Sequence, residues 1–216
     1  MINYRKERRC LVRTALQLWE RGLVQGTWGN ISLRVSEDLL LITPSGVEYT
    51  SLHPGDISLV NMESDKCIKG MKPSSEYKLH KEIYLTAGDL KALIHTHSQA
   101  LSAVSLIGTP IPPLTEDQAM IIGETIPVSP YALPGTAELA CQAAPFFKKS
   151  WGCILAHHGY IGGGRSLQEA LFNCSVAEKS ASIYLSLLSA GKEVKGLSSE
   201  DAAFLRESYF HYRPKE

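Results

Sequence analysis

A layered α/β domain is what this sequence predicts, and three observations carry the prediction. Short apolar runs of strand length alternate with longer segments of helical periodicity. The 216 residues are enough for one full core and cramped for two, so a single domain over residues 1–216 is expected. The composition, 44% hydrophobic and 20% charged, is that of a globular chain and too apolar for disorder.

From Tyr4 to Arg21 the residues Leu11, Val12, Ala15, Leu16 and Trp19 recur at three- and four-residue spacing, which predicts an amphipathic helix stopped by Gly22. The texture then changes. Ile31 to Val35, Leu39 to Thr43 and Ile57 to Asn61 are β-prone runs separated by turn-forming segments. These strands sit too close together for helical crossovers, so the sheet need not be parallel. Pro73-Ser74-Ser75-Glu76 opens a helix reaching about Thr86, with Ser74 or Ser75 as its N-cap and Leu79, Ile83 and Tyr84 facing the core. Ala92 to Thr96 reads as a buried strand and Ala100 to Ile107 as a helix. The stretch on to Pro134, rich in Gly and Pro at its start, reads as irregular. A helix near Ala137 to Phe147, a strand at Cys153 to Ala156, a turn at Gly159 to Gly164, a long helix from Ser166 to about Ala190 and a last helix from Ser198 to Tyr209 complete the order.

Charge and cysteine usage exclude several function classes. Twenty-two basic side chains balance twenty-two acidic ones, leaving no overall field to attract nucleic acid or an anionic membrane. No apolar run approaches the ~20 residues that span a bilayer. Charges interrupt the N-terminal apolar positions where a secretory signal would need a continuous run, so the cytosol is the expected compartment. Cys10, Cys67, Cys141, Cys153 and Cys174 are odd in number and contain no C-x-x-C pair, which argues against a disulfide scaffold or a cysteine zinc module.

The sharpest local signal is His95-Thr96-His97 at the end of an apolar strand. Residues two apart on a strand project to one face, so two imidazoles converge, and a divalent cation is the usual partner for such a pair. A second apolar strand runs into His157-His158-Gly159 and sets another imidazole at a strand end. Glu76 opens a helix, a position that favours a carboxylate even without chemistry. With three histidines it would complete an N3O set of the kind zinc accepts at roughly 2.0 to 2.2 Å per ligand. Nothing in the chain asks for a redox metal. Three turns, Gly26 to Asn30, Thr43 to Gly46 and Pro73 to Ser75, can aim backbone N–H groups and hydroxyls at an anion. Taken singly, each is an ordinary turn. None fits a P-loop, and Gly162 to Gly164 lacks the dinucleotide fingerprint, so a small phosphorylated substrate suits them better than a nucleotide.

The ordered set QGTWGN, ITPSG, KPSSE, HTHS and HHG resembles the class II aldolase family, whose members include fuculose-phosphate aldolases and ribulose-phosphate 4-epimerases. The likeness runs from the first helix to the end of the chain. It implies a three-layer α/β/α sandwich around a largely antiparallel mixed sheet, assembled as a homotetramer with interfacial active sites. It implies one Zn²⁺ per subunit held by His95, His97 and His158, with Glu76 as a fourth ligand that swings away to act as acid or base. It also implies that Gly29, Asn30, Ser45, Gly46, Ser74 and Ser75 grip a substrate phosphate, and that a C-terminal segment with Tyr212 closes over a neighbour's site.

The chain departs from the family pattern at one point. Where fuculose-phosphate aldolases carry a tyrosine that serves the aldehyde across the interface, this chain carries Glu116, and Glu116 or Asp117 is expected to serve instead. Glu76, where the epimerase branch has Asp, favours an aldolase. The implied reaction is cleavage of a ketose 1-phosphate to dihydroxyacetone phosphate and a short aldehyde through a metal-stabilised enediolate. Epimerisation, dehydration and decarboxylation of a phosphorylated 3-oxo acid would use the same site, and an adducin-like assembly module is the non-enzymatic alternative.

Overall fold

The computed structural model describes residues 4 to 212, the last by its backbone alone. In chain order the elements are α1 (Arg5–Glu20), β1 (Asn30–Arg34), β2 (Leu39–Ile42), β3 (Ser58–Asn61), β4 (Lys66–Lys69), α2 (Tyr77–Thr86), β5 (Ala92–Thr96), α3 (Gln99–Ile107), α4 (Glu116–Ile121), β6 (Val128–Ser129), α5 (Ala137–Ala143), β7 (Gly152–Leu155), β8 (Gly159–Gly164), α6 (Leu167–Ser189) and α7 (Ser199–Tyr212). The strands form one eight-stranded sheet in the order β4-β3-β2-β1-β5-β8-β7-β6. Every pairing is antiparallel except that of β6 with β7.

Both faces of the sheet are covered, and the alternation of side chains along each strand shows why. Ile31, Leu41, Ala92, Ile94, Ile154 and Tyr160 join α1, α3 and α6 in one core. Leu40, Ile42, Leu93, Cys153, Leu155 and Ile161 join α2 and α5 in a second. A strand with both faces buried reads as a continuous apolar run, as β2 and β5 do. Each fully buried Leu or Ile side chain contributes roughly 1.5–3 kcal/mol. The result is a three-layer α/β/α sandwich.

Three sequence expectations are corrected, and one strand, β4, is found where none was expected. Gly159 to Gly164 is a central strand, not a turn, pairing with β5 and β7. Its glycines answer to crowding: a Cβ on Gly164 would lie 2.5 Å from the backbone nitrogen of Ala170 in α6, and one on Gly159 would lie 2.4 Å from the Thr96 carbonyl. The hairpin strand β4 carries no alternation because all four of its residues are exposed. The stretch before Pro134 is not irregular throughout but holds α4 and β6. Finally, α2 begins at Tyr77, so its N-cap is Glu76 rather than Ser74 or Ser75.

Candidate metal centre and phosphate turns

His95 continues the row of Leu93 on β5 and therefore faces the α2 side of the sheet. Its cross-strand partner on β1 is Asn30, which faces the same way. His97 stands just past the strand. Glu178 of α6 holds this exit: its carboxylate accepts hydrogen bonds from the Ser98 hydroxyl at 2.6 Å and from the backbone N–H groups of Ala100 and Leu101 at 2.8 and 3.0 Å. It thereby caps α3 and fixes where His97 leaves the sheet. In the turn between β7 and β8, His157 takes a left-handed backbone with φ 56°. Its ring is edge-on to Tyr131, whereas His158 turns towards His95 and His97.

The candidate ligand atoms of His95, His97 and His158 lie within 4.8 Å of one another. Nε2 of His95 is 3.3 Å from Nε2 of His158. Glu76 closes the group from the helix side, its Oε2 3.3 Å from Nε2 of His95 and its Oε1 3.6 Å from Nε2 of His158. His95 donates its Nδ1–H to the Tyr160 carbonyl at 2.9 Å, which leaves the Nε2 lone pair aimed into the cluster. Burial pulls His95 down to about 4 despite that carbonyl. Burial and the neighbouring His95 pull His97 and His158 to about 4 as well, against the opposing pull of Glu76. The rings are thus neutral near pH 7, the form that binds metal.

These residues fit a divalent cation. Two carboxylate oxygens and inward-facing ring nitrogens crowd one point, and Glu76 Oε1 is buried without a hydrogen-bond donor. Ligand arms of about 2.0–2.1 Å at the tetrahedral angle separate two donors by about 3.3 Å, the spacing seen between His95 and His158. Three neutral imidazoles and one carboxylate make a set suited to zinc.

Two of the phosphate turns, remote in sequence, meet beside this cluster's helix. Pro44 and Pro73 form an antiparallel bridge, Ser45 N–H donates to the Lys72 carbonyl at 3.0 Å, and Ser74 N–H donates to the Thr43 carbonyl at 3.2 Å. Ser45, Gly46 and Ser75 are exposed, and Ser74 is buried with its hydroxyl accepting from the Glu76 N–H. Gly29 has φ 107°, and a Cβ there would lie 2.8 Å from the His95 carbonyl, so no side chain fits between that turn and β5. Asn30 is drawn inward: its amide donates to Glu76 Oε2 at 2.8 Å. Trp28, 66% exposed, stands edge-on to His97 with ring centres 5.5 Å apart.

Two named residues are not brought to the histidines. Glu116 and Asp117 open α4; Glu116 is exposed, Asp117 pairs with Lys179 of α6, and neither belongs to the histidine group. The side chain of Tyr212 lies outside the described residues. Conversely, His80 went unnoticed in the sequence. It is fully buried on α2, with Nε2 2.5 Å from Asn30 Oδ1 and Nδ1 2.7 Å from the Ser32 hydroxyl. Burial, then the nearby His95, pulls it down to about 3. The available signal was its four-residue spacing from Glu76 and Tyr84 on one buried helix face.

Comparison with known proteins gives the family and the fold. An L-fuculose phosphate aldolase from Escherichia coli K12 is 35% identical over 204 residues, covering 94% of each chain. A 5-methylthioribulose-1-phosphate/5-deoxyribulose-1-phosphate aldolase from Rhodospirillum rubrum is 40% identical over 162 residues, covering 74% of this chain and 72% of that one. A solved L-fuculose 1-phosphate aldolase superposes with a TM-score of 0.89 at 29% identity, over 94% of this chain and 95% of its own. Residues 9–185 match the family described as Class II Aldolase and Adducin N-terminal domain, and the chain belongs to that family.

Proposed function

We propose that the protein is a zinc-dependent aldolase that reversibly joins dihydroxyacetone phosphate to a short aldehyde, forming a ketose 1-phosphate such as L-fuculose 1-phosphate or a related deoxy-ketose phosphate. The observation that carries the reading is the convergence of Glu76 on the three histidines beside the bridged phosphate turns. His95, His97 and His158 would hold the ion, with Glu76 as the displaceable fourth ligand. A bound divalent ion supplies Lewis acidity, drawing off the negative charge that develops on the donor when its carbon loses a proton.

The chain's own groups account for the remaining steps. Ser45, Gly46, Ser74, Ser75 and the Gly29 turn grip the phosphate and fix the donor carbon near Glu76. Glu76 takes the proton from that carbon, a step for which a positioned base typically gives 10² to 10⁴-fold. The carbon's electron pair forms the new bond to the aldehyde carbon, and the aldehyde oxygen takes a proton from the Glu116 carboxyl of a neighbouring subunit, beside Asp117, which is held by Lys179. Cleavage runs the same steps backwards and returns the proton to the donor carbon. The assembly that supplies Glu116, Asp117 and Tyr212 is a homotetramer with interfacial sites.

The fold alone does not choose among enolate chemistries. The test is a panel of ketose 1-phosphates, pentulose 5-phosphates and phosphorylated 3-oxo acids offered to zinc-loaded protein, with products identified. Release of dihydroxyacetone phosphate from a ketose 1-phosphate is the expected result. Epimerised pentulose phosphate, a dehydrated product or carbon dioxide in its place would reassign the chemistry. A protein that assembles but binds no metal and turns over nothing would be the adducin-like module.

A further inference from the structure

Behind the candidate metal centre a buried row of polar groups runs back from Glu76, and its other members are left unused by the mechanism above. Glu76, His80 and Tyr84 succeed one another at four-residue steps along α2, about 6 Å per step. Asn30 and Ser32 lie opposite at a two-residue step along β1, about 6.6 Å. The two spacings nearly match, so helix and strand side chains interleave: Glu76, Asn30, His80, Ser32, Tyr84, with successive contacts of 2.8, 2.5, 2.7 and 2.8 Å. All five side chains are buried.

Only one set of hydrogen-bond directions satisfies the inner members. A carboxylate only accepts, so Asn30 turns its NH₂ to Glu76 and its carbonyl Oδ1 to His80. His80 must then donate from Nε2. Its Nδ1, bare in the neutral ring, accepts the Ser32 hydroxyl. Three donations in succession therefore point at Glu76 Oε2, while Oε1 has no donor.

We propose that His80 is a positioning residue: touching neither metal nor substrate, it locks the Asn30 amide so that Asn30 holds Glu76 Oε2 and leaves Oε1 as the working oxygen. The proposal rests on the role given to Glu76 above. A carboxylate that must both ligate and move a proton has many rotamers to lose, and a partner held at both ends limits it to the useful one. Residues that orient a ligand from behind typically cost 10- to 100-fold in metal affinity or activity when removed.

The test compares His80→Gln, whose amide nitrogen can take the place of Nε2, with His80→Met, of similar length but without a donor. Each variant of the full chain is measured for Zn²⁺ affinity by chelator competition, for proton exchange at the donor carbon of dihydroxyacetone phosphate, and for thermal unfolding of the metal-free form. H80M is expected to lose about 10- to 100-fold in zinc affinity or exchange with KM nearly unchanged, and H80Q to recover most of it. In a Glu76→Gln background H80M should add nothing, because the two act through one contact. Should H80M fail to fold, Asn30→Ser severs the same link and carries the same expectation of weakened zinc binding and exchange. Wild-type zinc affinity and exchange in H80M or Asn30→Ser, or equal losses in H80Q and H80M tracking an equal fall in Tm, would overturn the positioning role. If E76Q itself leaves exchange at the wild-type rate, it is the reading of Glu76 that fails.

Discussion

At the scale of single residues, the candidate metal centre is a set of imidazoles kept neutral by burial, of which His95 is aimed by the hydrogen bond from its Nδ1 to the Tyr160 carbonyl. Replacing His95 with Ala removes both a ligand and the group fixed by the Tyr160 carbonyl. Metal and activity should disappear together; a metal-free variant that retains turnover would refute the assignment. The same burial makes the metal-free protein acid-sensitive. His95, His97 and His158 are pulled to about 4 and His80 to about 3 in the folded state, whereas unfolded imidazoles protonate near 6.5. Between those values the unfolded chain binds more protons. Stability is therefore full above about 6.5 and falls as the pH drops towards the folded values, beyond which no more is lost. Denaturant midpoints measured with chelator present should be lower near pH 5 than near pH 7, and a flat profile over that interval would contradict the buried neutral histidines.

Secondary elements position these residues by close approach as much as by capping. Strand β8 carries glycine where α6 crosses it, and Gly164 is the tightest point of contact with α6 backbone. Gly164→Ala should push β8 from α6 and cost about 2 kcal/mol or more, the range of a core clash that backbone must absorb. A Tm within a degree of the wild type would show that the crossing yields more easily than its 2.5 Å approach suggests. The cap given by Glu178 to α3 belongs to the same scale. A single carboxylate from α6 orders the segment between His97 and Leu101, which ties the candidate ligand His97 to a helix that begins 70 residues later in the chain.

For the whole molecule, the proposed interfacial site predicts complementation between subunits. His95→Ala alone and a Glu116→Gln/Asp117→Asn variant alone should each be inactive. Co-expressed, they should recover about a quarter of wild-type activity, because a ring of mixed subunits brings intact halves together at about one interface in four. No recovery in a mixed oligomer would place all the chemistry within one subunit. His95 and His97 were legible in the sequence because H-x-H on a strand is a local pattern with a fixed geometry, and HHG put a further imidazole at a strand end, but it was the family resemblance that singled out His158 from His157. Most of the helices and early strands were legible for the same reason, through their periodicity. Strand β8 was not, since a glycine run carries no pattern, and its strand identity comes from β5 and β7 on either side. Nor was the row from Glu76 to Tyr84, because only the packing of α2 on β1 interleaves side chains about fifty residues apart. The chain's local chemistry thus determined which groups exist and which element carries each. Strand order and helix packing decided which of them touch, because contacts between distant segments depend on the whole sheet and not on any one stretch of it.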